Sequence, residues 1–355
     1  MKIHHFSIFV FLVTSRSFSQ DISTPEGRIG IEHHTHYWRD STKKLIVGHT
    51  GLFSILGKQF SVASPAVSRN EAYSGCDSGI VYSISPSIIR VICKFIAAGS
   101  IEGAPAISND TIFVGFKNNL FPAFSITDGN LLWKYETNGP VVTTPIIHDK
   151  FVYFTTSNGY CYSLKTETGE FKWRFNVPSA ASSPIYDQRI SFDKDVIKVG
   201  NDRQRIYAIN AKNGDEEWHH DGAGGQPLVN ELRVFAKSFE GTVSSIDKIT
   251  GHRDWWLKGD LVPGTTEFAL SSNTLVFGNG SRILATDSDS GEGFKWERAP
   301  PSALTDPPIM IGDVFYAPSG DKKNSPLISE QERNTTLSIP TSTRIRQLLL
   351  APVIS

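Results

Sequence analysis

Ala208-Ile209-Asn210-Ala211-Lys212-Asn213-Gly214-Asp215-Glu216-Glu217-Trp218 is the stretch on which the fold turns. It leaves a short apolar run, makes a polar turn around Gly214, and enters a second run that closes on a tryptophan. Close variants run from Ala123 to Trp133, Ser163 to Trp173 and Ser245 to Trp255. A fifth, Ser290-Gly291-Glu292-Gly293-Phe294-Lys295-Trp296, carries one extra residue. The five tryptophans are spaced by 40, 45, 37 and 41 residues. Pro65, Pro105 and Pro145 keep the same period of 40, and Pro227 and Pro307 stand 80 apart. A fixed period of this length is the mark of a repeat architecture.

Each unit has one internal grammar. A β-branched and aromatic run follows the proline, as in Thr111-Ile112-Phe113-Val114, Phe151-Val152-Tyr153-Phe154 and Arg233-Val234-Phe235-Ala236. A Gly or Asn turn comes next, then a second run, then the Thr-Gly turn and the strand that ends in Trp. Such four-to-six-residue runs read as strands, and Gly and Asn supply the positive φ their turns need. No helical pattern of ten or more residues interrupts them, which excludes helical and leucine-rich repeats. Four-stranded antiparallel sheets arranged around an axis are the packing solution that fits. The fold class is therefore all-β, a β-propeller. Six units anchored at Pro65, Pro105, Pro145, Pro184, Pro227 and Glu267, plus one blade shared by the two ends, give seven blades. Counting the partial units Leu45–Ile55 and Pro307–Tyr316 separately gives eight. Asp187 to Asp195 reads as a loop inserted into one unit.

The signature resembles the pyrroloquinoline quinone (PQQ) repeat, the blade unit of the quinoprotein alcohol dehydrogenase-like superfamily, over about residues 61 to 317. The same repeat builds the propeller of the bacterial outer-membrane assembly machine and the luminal domains of unfolded-protein sensors. The resemblance implies that Trp133, Trp173, Trp218, Trp255 and Trp296 dock between neighbouring blades and that the Gly makes the turn into the last strand. The first unit departs from the pattern: Ser83 to Cys93 lacks the Gly and has Cys93 in the Trp place. The chain is closer to the non-catalytic assembly-type propellers than to the enzymes. The enzymes use a vicinal Cys-Cys disulfide and a Ca²⁺ ion beside the quinone, and Cys76, Cys93 and Cys161 are isolated from one another.

The chain's 355 residues carry a net charge of -1 and are 39% hydrophobic. That balance gives no bulk electrostatic reason to bind nucleic acid or an anionic membrane. Residues 1–19 read as a secretory signal peptide. Lys2 precedes the apolar run Phe6 to Val13, and Ser17-Phe18-Ser19 offers small residues before a cut at Gln20. The propeller is expected over residues 31–320, and the polar, aperiodic residues 321–355 as a disordered tail. The expected localisation is secreted or periplasmic, with no transmembrane span.

Candidate chemistry is sparse. No catalytic, cofactor-binding or metal site is assigned. Asp287-Ser288-Asp289-Ser290-Gly291 has the start of a Ca²⁺ loop but lacks the Glu at its twelfth place, so it reads as the repeat's own turn. His33, His34, His36 and His49 have no acidic or Cys partner at ligand spacing. Sequons at Asn109, Asn279 and Asn334 mark glycosylation positions for a eukaryotic secreted chain. A Cys76–Cys93 bridge is open, since sequence does not show their separation. Arg189 to Asp195, Gln226 and Trp256 are irregular against the repeat, and Trp256 is the interface candidate among them. The function read from this is a non-catalytic extracytoplasmic scaffold, a monomer or a subunit of a larger complex. It binds a protein or peptide partner through its loop face, without a cofactor. The alternative is a PQQ- and Ca²⁺-dependent dehydrogenase-like or small-ligand-binding propeller.

Overall fold

In the computed structural model, residues 99–177 are described without interruption, 190–298 with short gaps, and strands within 11–14, 37–47, 66–96 and 309–328 flank them. Every described regular element is a β-strand. Six sheets of four antiparallel strands follow one another along the chain. They span residues 66–96, 106–136, 146–176, 190–221, 224–257 and 268–298, and are called here the first to sixth sheets. In each, the strands pair in chain order, so every sheet is a simple meander. The molecule is a β-propeller built of four-stranded antiparallel sheets.

Two further three-stranded groups lie at the ends. Phe11–Thr14 and Tyr37–Arg39 both pair with Lys44–Val47. At the other end, Ile309–Ile311 and Asn324–Ile328 flank Val314–Pro318. Each group pairs within itself among the described strands. Phe11–Thr14 overlaps the end of the apolar run expected as the core of the signal peptide, and its backbone pairs with Lys44–Val47.

Asn324–Ile328, inside the stretch expected as the tail, is a strand. Its Pro326 masks it in the sequence, yet as a sheet edge the strand tolerates a residue without an N–H. The loop expected over Asp187 to Asp195 is corrected, since Ile190–Asp193 is the first strand of the fourth sheet. Asp195 is an exposed turn residue after that strand, and Asp187, Gln188, Arg189 and Lys194 lie outside the described residues.

The core forms between sheets. Phe113, Phe121 and Val141 of the second sheet and its exit meet Val152, Phe154 and Tyr162 of the third in one buried cluster. Rings of Phe121 and Phe154 stack with centroids 3.8 Å apart. A matching cluster joins Leu228, Phe235 and Val243 of the fifth sheet to Phe268, Leu275 and Phe277 of the sixth. Middle strands are buried on both faces, as in Phe151–Thr156 and Ile206–Ile209. This explains why they read as continuous apolar runs rather than alternating ones.

Candidate functional site

The signature turn is built by its own residues. The Gly N–H donates to the carbonyl four residues back: Gly169 to Lys165, Gly214 to Asn210, Gly251 to Asp247 and Gly291 to Asp287, at 2.8–3.0 Å. Those glycines hold φ between 66° and 80°, where a Cβ is strained. An Asp or Asn at the turn's start takes further N–H groups. Asp247 Oδ1 accepts from Thr250 N at 2.7 Å and Ile249 N at 3.1 Å. Asp287 Oδ1 does the same for Asp289 N and Ser290 N. The segment resembling a Ca²⁺ loop thus spends its first carboxylate on its own backbone and on Lys295 Nζ, 3.0 Å away.

The turn of one sheet receives the tryptophan of the sheet before it. Trp133 Nε1 donates to Thr166 O at 2.9 Å, and Trp173 Nε1 to Ala211 O at 2.9 Å. Trp218 reaches Lys248 O at 3.1 Å and Trp255 reaches Ser288 O at 3.2 Å. The acceptor is the fourth residue of the signature every time. The glycine lies beneath the ring: a methyl carbon at Gly169, Gly214, Gly251 or Gly291 would stand 2.5–2.7 Å from the indole. Only glycine leaves room for that approach, and the same atom explains its positive φ. Trp296 is half-buried against Ala269, Val276, Ile283 and Ala285 of its own sheet. The side chain of Cys93 lies outside the described residues.

Charged groups lock some seams further. Arg233 of the fifth sheet donates from Nε to Asp254 at 3.2 Å and from Nη1 to Asp289 of the sixth at 2.6 Å. Lys248 Nζ lies 2.8 Å from Asp193 Oδ2, with the fully buried Lys198 4.0 Å from the same oxygen. His220 Nδ1 donates to Gly251 O at 3.0 Å, and burial pushes its pKa down. His219 bonds Glu216. Neither Arg233 nor the Asp193 cluster is visible in the repeat pattern, because each joins residues of different sheets.

Antiparallel meanders place the glycine turns at one end of every sheet. The links between sheets and the turns between second and third strands lie at the other, which is the loop face. That face is braced by side chains. Asn158 Nδ2 donates to Asn138 O at 2.8 Å, and Tyr162 hydroxyl bonds the Asn138 side chain. Thr143 Oγ1 donates to Thr155 O at 3.0 Å, and Ser191 Oγ to Pro227 O at 2.7 Å. Gln226 falls in the first strand of the fifth sheet, its side chain outside the described residues. Trp256 is 50% exposed, with the Arg253 guanidinium 5.8 Å from its ring centre. Asn109 sits exposed at a turn with φ 48°. Asn279 ends a strand, and Asn334 and the four N-terminal histidines lie outside the described residues.

Among the described residues the quinone chemistry of the resemblance finds no donor set. Ca²⁺ needs six to eight oxygen ligands, carboxylates among them. Among the described residues no group of three or more His, Cys, Asp or Glu could hold a metal ion. Cys161 is fully buried in the cluster between the third and fourth sheets, and burial pushes its thiol up to about 12. These residues do not fit the quinone and its metal.

Seam tryptophans over glycine turns, repeated sheet after sheet, define the class: a PQQ-repeat β-propeller. The profile of the family described as outer membrane protein assembly factor BamB matches residues 90–220 and again 183–351, and the chain belongs to that family. Similarity to individual members is distant. The chain is 21% identical over 271 residues to the BamB of Yersinia pestis, covering 69% of this chain and 68% of that protein. Alignments to two further proteins of that name span 43% and 50% of their lengths. A quinohemoprotein alcohol dehydrogenase from Comamonas testosteroni is 25% identical over 166 residues, which cover 40% of this chain and 23% of that enzyme. The crystal structure of BamB from Moraxella catarrhalis superimposes with a TM-score of 0.62 at 17% identity, over 76% of this chain and 88% of that one.

Proposed function

We propose that this chain is a non-catalytic, extracytoplasmic scaffold for outer-membrane protein assembly that binds a protein or peptide partner through its loop face. The observation that carries this reading is the family match across residues 90–351. The geometry supports it in two ways. Its seams give a rigid platform, since the indoles of Trp133, Trp173, Trp218 and Trp255 are each held by a carbonyl and a glycine of the next sheet. Trp256, irregular against the repeat, is at the surface, and surface residues on rigid scaffolds are where binding resides. In this reading Trp133, Trp173, Trp218, Trp255 and Trp296 hold the sheets together. Trp256 is a contact residue, residues 1–19 direct export, and the chain works as a subunit of a larger complex.

The test uses a strain lacking the chain. Folding of a β-barrel outer-membrane protein is followed by its heat-modifiable mobility on gels. The folded fraction is expected to fall, to be restored by the wild-type chain, and to be restored incompletely by Trp256→Asp. An unchanged folded fraction overturns the reading. So does dye-linked alcohol oxidation by the purified chain after loading with PQQ and Ca²⁺, the result the dehydrogenase alternative requires.

A further inference from the structure

The repeat serves as its own control for surface composition at the glycine-turn end. The fifth residue of each signature occupies the exposed corner of its turn. It is Thr127, Glu167, Lys212 and Asp289 in the second, third, fourth and sixth sheets, and Ile249 in the fifth. Ile249 is 81% exposed. Beside that corner stands the last residue before the second strand, whose carbonyl receives the N–H of the signature's fourth residue. It is Asp110, Lys150, Asp195 and Asn273 in four sheets, and Leu232 in the fifth. Leu232 is 64% exposed. The Lys248 N to Leu232 O bond, at 3.0 Å, holds the two apolar residues side by side. In the sixth sheet the extra residue of the signature puts Phe294, 48% exposed, into the turn that Arg233 grips through Asp289.

Nothing inside the molecule needs these three side chains outside. The corners held by Leu232 and Ile249 are polar in the second, third, fourth and sixth sheets, so folding does not require a leucine or an isoleucine there. The surrounding charge is acidic. Glu231 and Glu292 are exposed, as are Asp215, Glu216 and Glu217 on the neighbouring fourth sheet. Of the cations near these corners, Arg233 pairs with two carboxylates, Lys295 with Asp287, Lys212 with Asp195, and Lys248 is buried against Asp193, while Arg253 is exposed over the Trp256 ring.

We infer that Leu232, Ile249 and Phe294 form a second docking surface, on the end opposite the loop face, for a polypeptide segment that is apolar and cationic. The apolar tips supply contact area, and the carboxylates select basic side chains and repel an anionic lipid surface. This surface is separate from the one proposed above, so either can fail alone.

The purified chain is titrated against a fluorescein-labelled peptide of alternating Leu and Lys, with the Leu/Glu peptide as counterpart, by fluorescence anisotropy. The Leu/Lys peptide is expected to bind, more weakly as salt is raised, and the Leu/Glu peptide not to bind. Ile249→Lys and Leu232→Lys are each expected to weaken binding at least about tenfold. Trp256→Asp is expected to leave it unchanged. Both lysine substitutions sit at corners that are polar in other sheets, and an unaltered circular dichroism spectrum checks that they fold. Equal binding by the lysine variants, or equal binding of the two peptides, overturns the inference. Sedimentation of the chain as a dimer that Ile249→Lys dissociates also overturns it, by making a second copy the occupant.

Discussion

Trp255 and Trp256 are neighbours in the chain and opposite in circumstance. Trp255 is half-buried, donates to Ser288 O of the next sheet and lies over Gly291. Trp256 is half exposed, with only the Arg253 guanidinium near its face. One residue along a strand reverses the face of the sheet, so one indole enters the seam and the other leaves it. The register fixes which is which. Ser245 opposes Trp255, as Ala123 opposes Trp133, Ser163 opposes Trp173 and Ala208 opposes Trp218. A bulge at the same place, before the Trp in the second to fifth sheets and before Cys93 in the first, keeps that pairing constant. The pair of tryptophans thus separates what holds the molecule together from what it shows to others.

The largest way to break the contrast is Trp255→Ala. It removes an indole from the seam and leaves Ser288 O without its donor. A loss of about 3–5 kcal/mol in unfolding free energy is expected from urea denaturation. A loss no greater than that of an exposed residue would remove the seam role. Gly291→Ala attacks the same contact from the other side. The methyl group would meet the Trp255 ring at 2.5 Å while the backbone stays at φ 66°. About 2–3 kcal/mol is expected in the same assay. A smaller effect than at Gly293, where a Cβ meets nothing within 4 Å, would contradict the close-approach argument.

Arg233→Ala removes the two-carboxylate link beside this seam. With both partners partly solvated, about 1 kcal/mol is expected, shrinking as salt rises. A salt-independent loss would mean that packing of the side chain's stem dominates. A finer probe is Asp287. Burial acts to raise its carboxyl, but the N–H groups of Ser290 and Asp289 and the charge of Lys295 outweigh this and hold it at about 2, against 3.8 in the unfolded chain. A depressed folded pKa stabilises above the unfolded value and is lost as pH falls towards the folded one. The melting temperatures of wild type and Asp287→Asn are therefore expected to converge as pH is lowered from about 4 towards 2. A constant gap across that window would argue that the carboxylate's charge contributes nothing. The smallest effect on stability is expected from Trp256→Ala, within about 0.5 kcal/mol. That variant sharpens the contrast if its stability is intact and its restoration of outer-membrane protein folding is impaired.

Much of this was legible in the sequence because the relevant chemistry is local. Gly214 must adopt positive φ whatever surrounds it, and Asn210 or Asp247 can cap a turn with groups two and three residues away. The spacing of Trp218 from Gly214 is set inside one hairpin. What escaped was of two kinds. Asn324–Ile328 hid behind a proline that only an edge strand accepts. The Asp193, Lys198 and Lys248 cluster joins a strand of one sheet to the turn of the next, and no period reports such a contact.

By itself, the amino-acid sequence determined the repeat, the strand-and-turn order within each unit and the tryptophan with its glycine. Hydrophobic period and turn stereochemistry act over a few residues and need no knowledge of the rest of the chain. Only the tertiary structure decided that the glycine beneath Trp133, Trp173, Trp218 and Trp255 belongs to the following sheet, 33 to 41 residues on. It also decided that Arg233 ties two sheets, and that Leu232 and Ile249 form one surface. Those facts depend on how separate sheets are stacked, and stacking brings together residues whose chain separation carries no signal of its own.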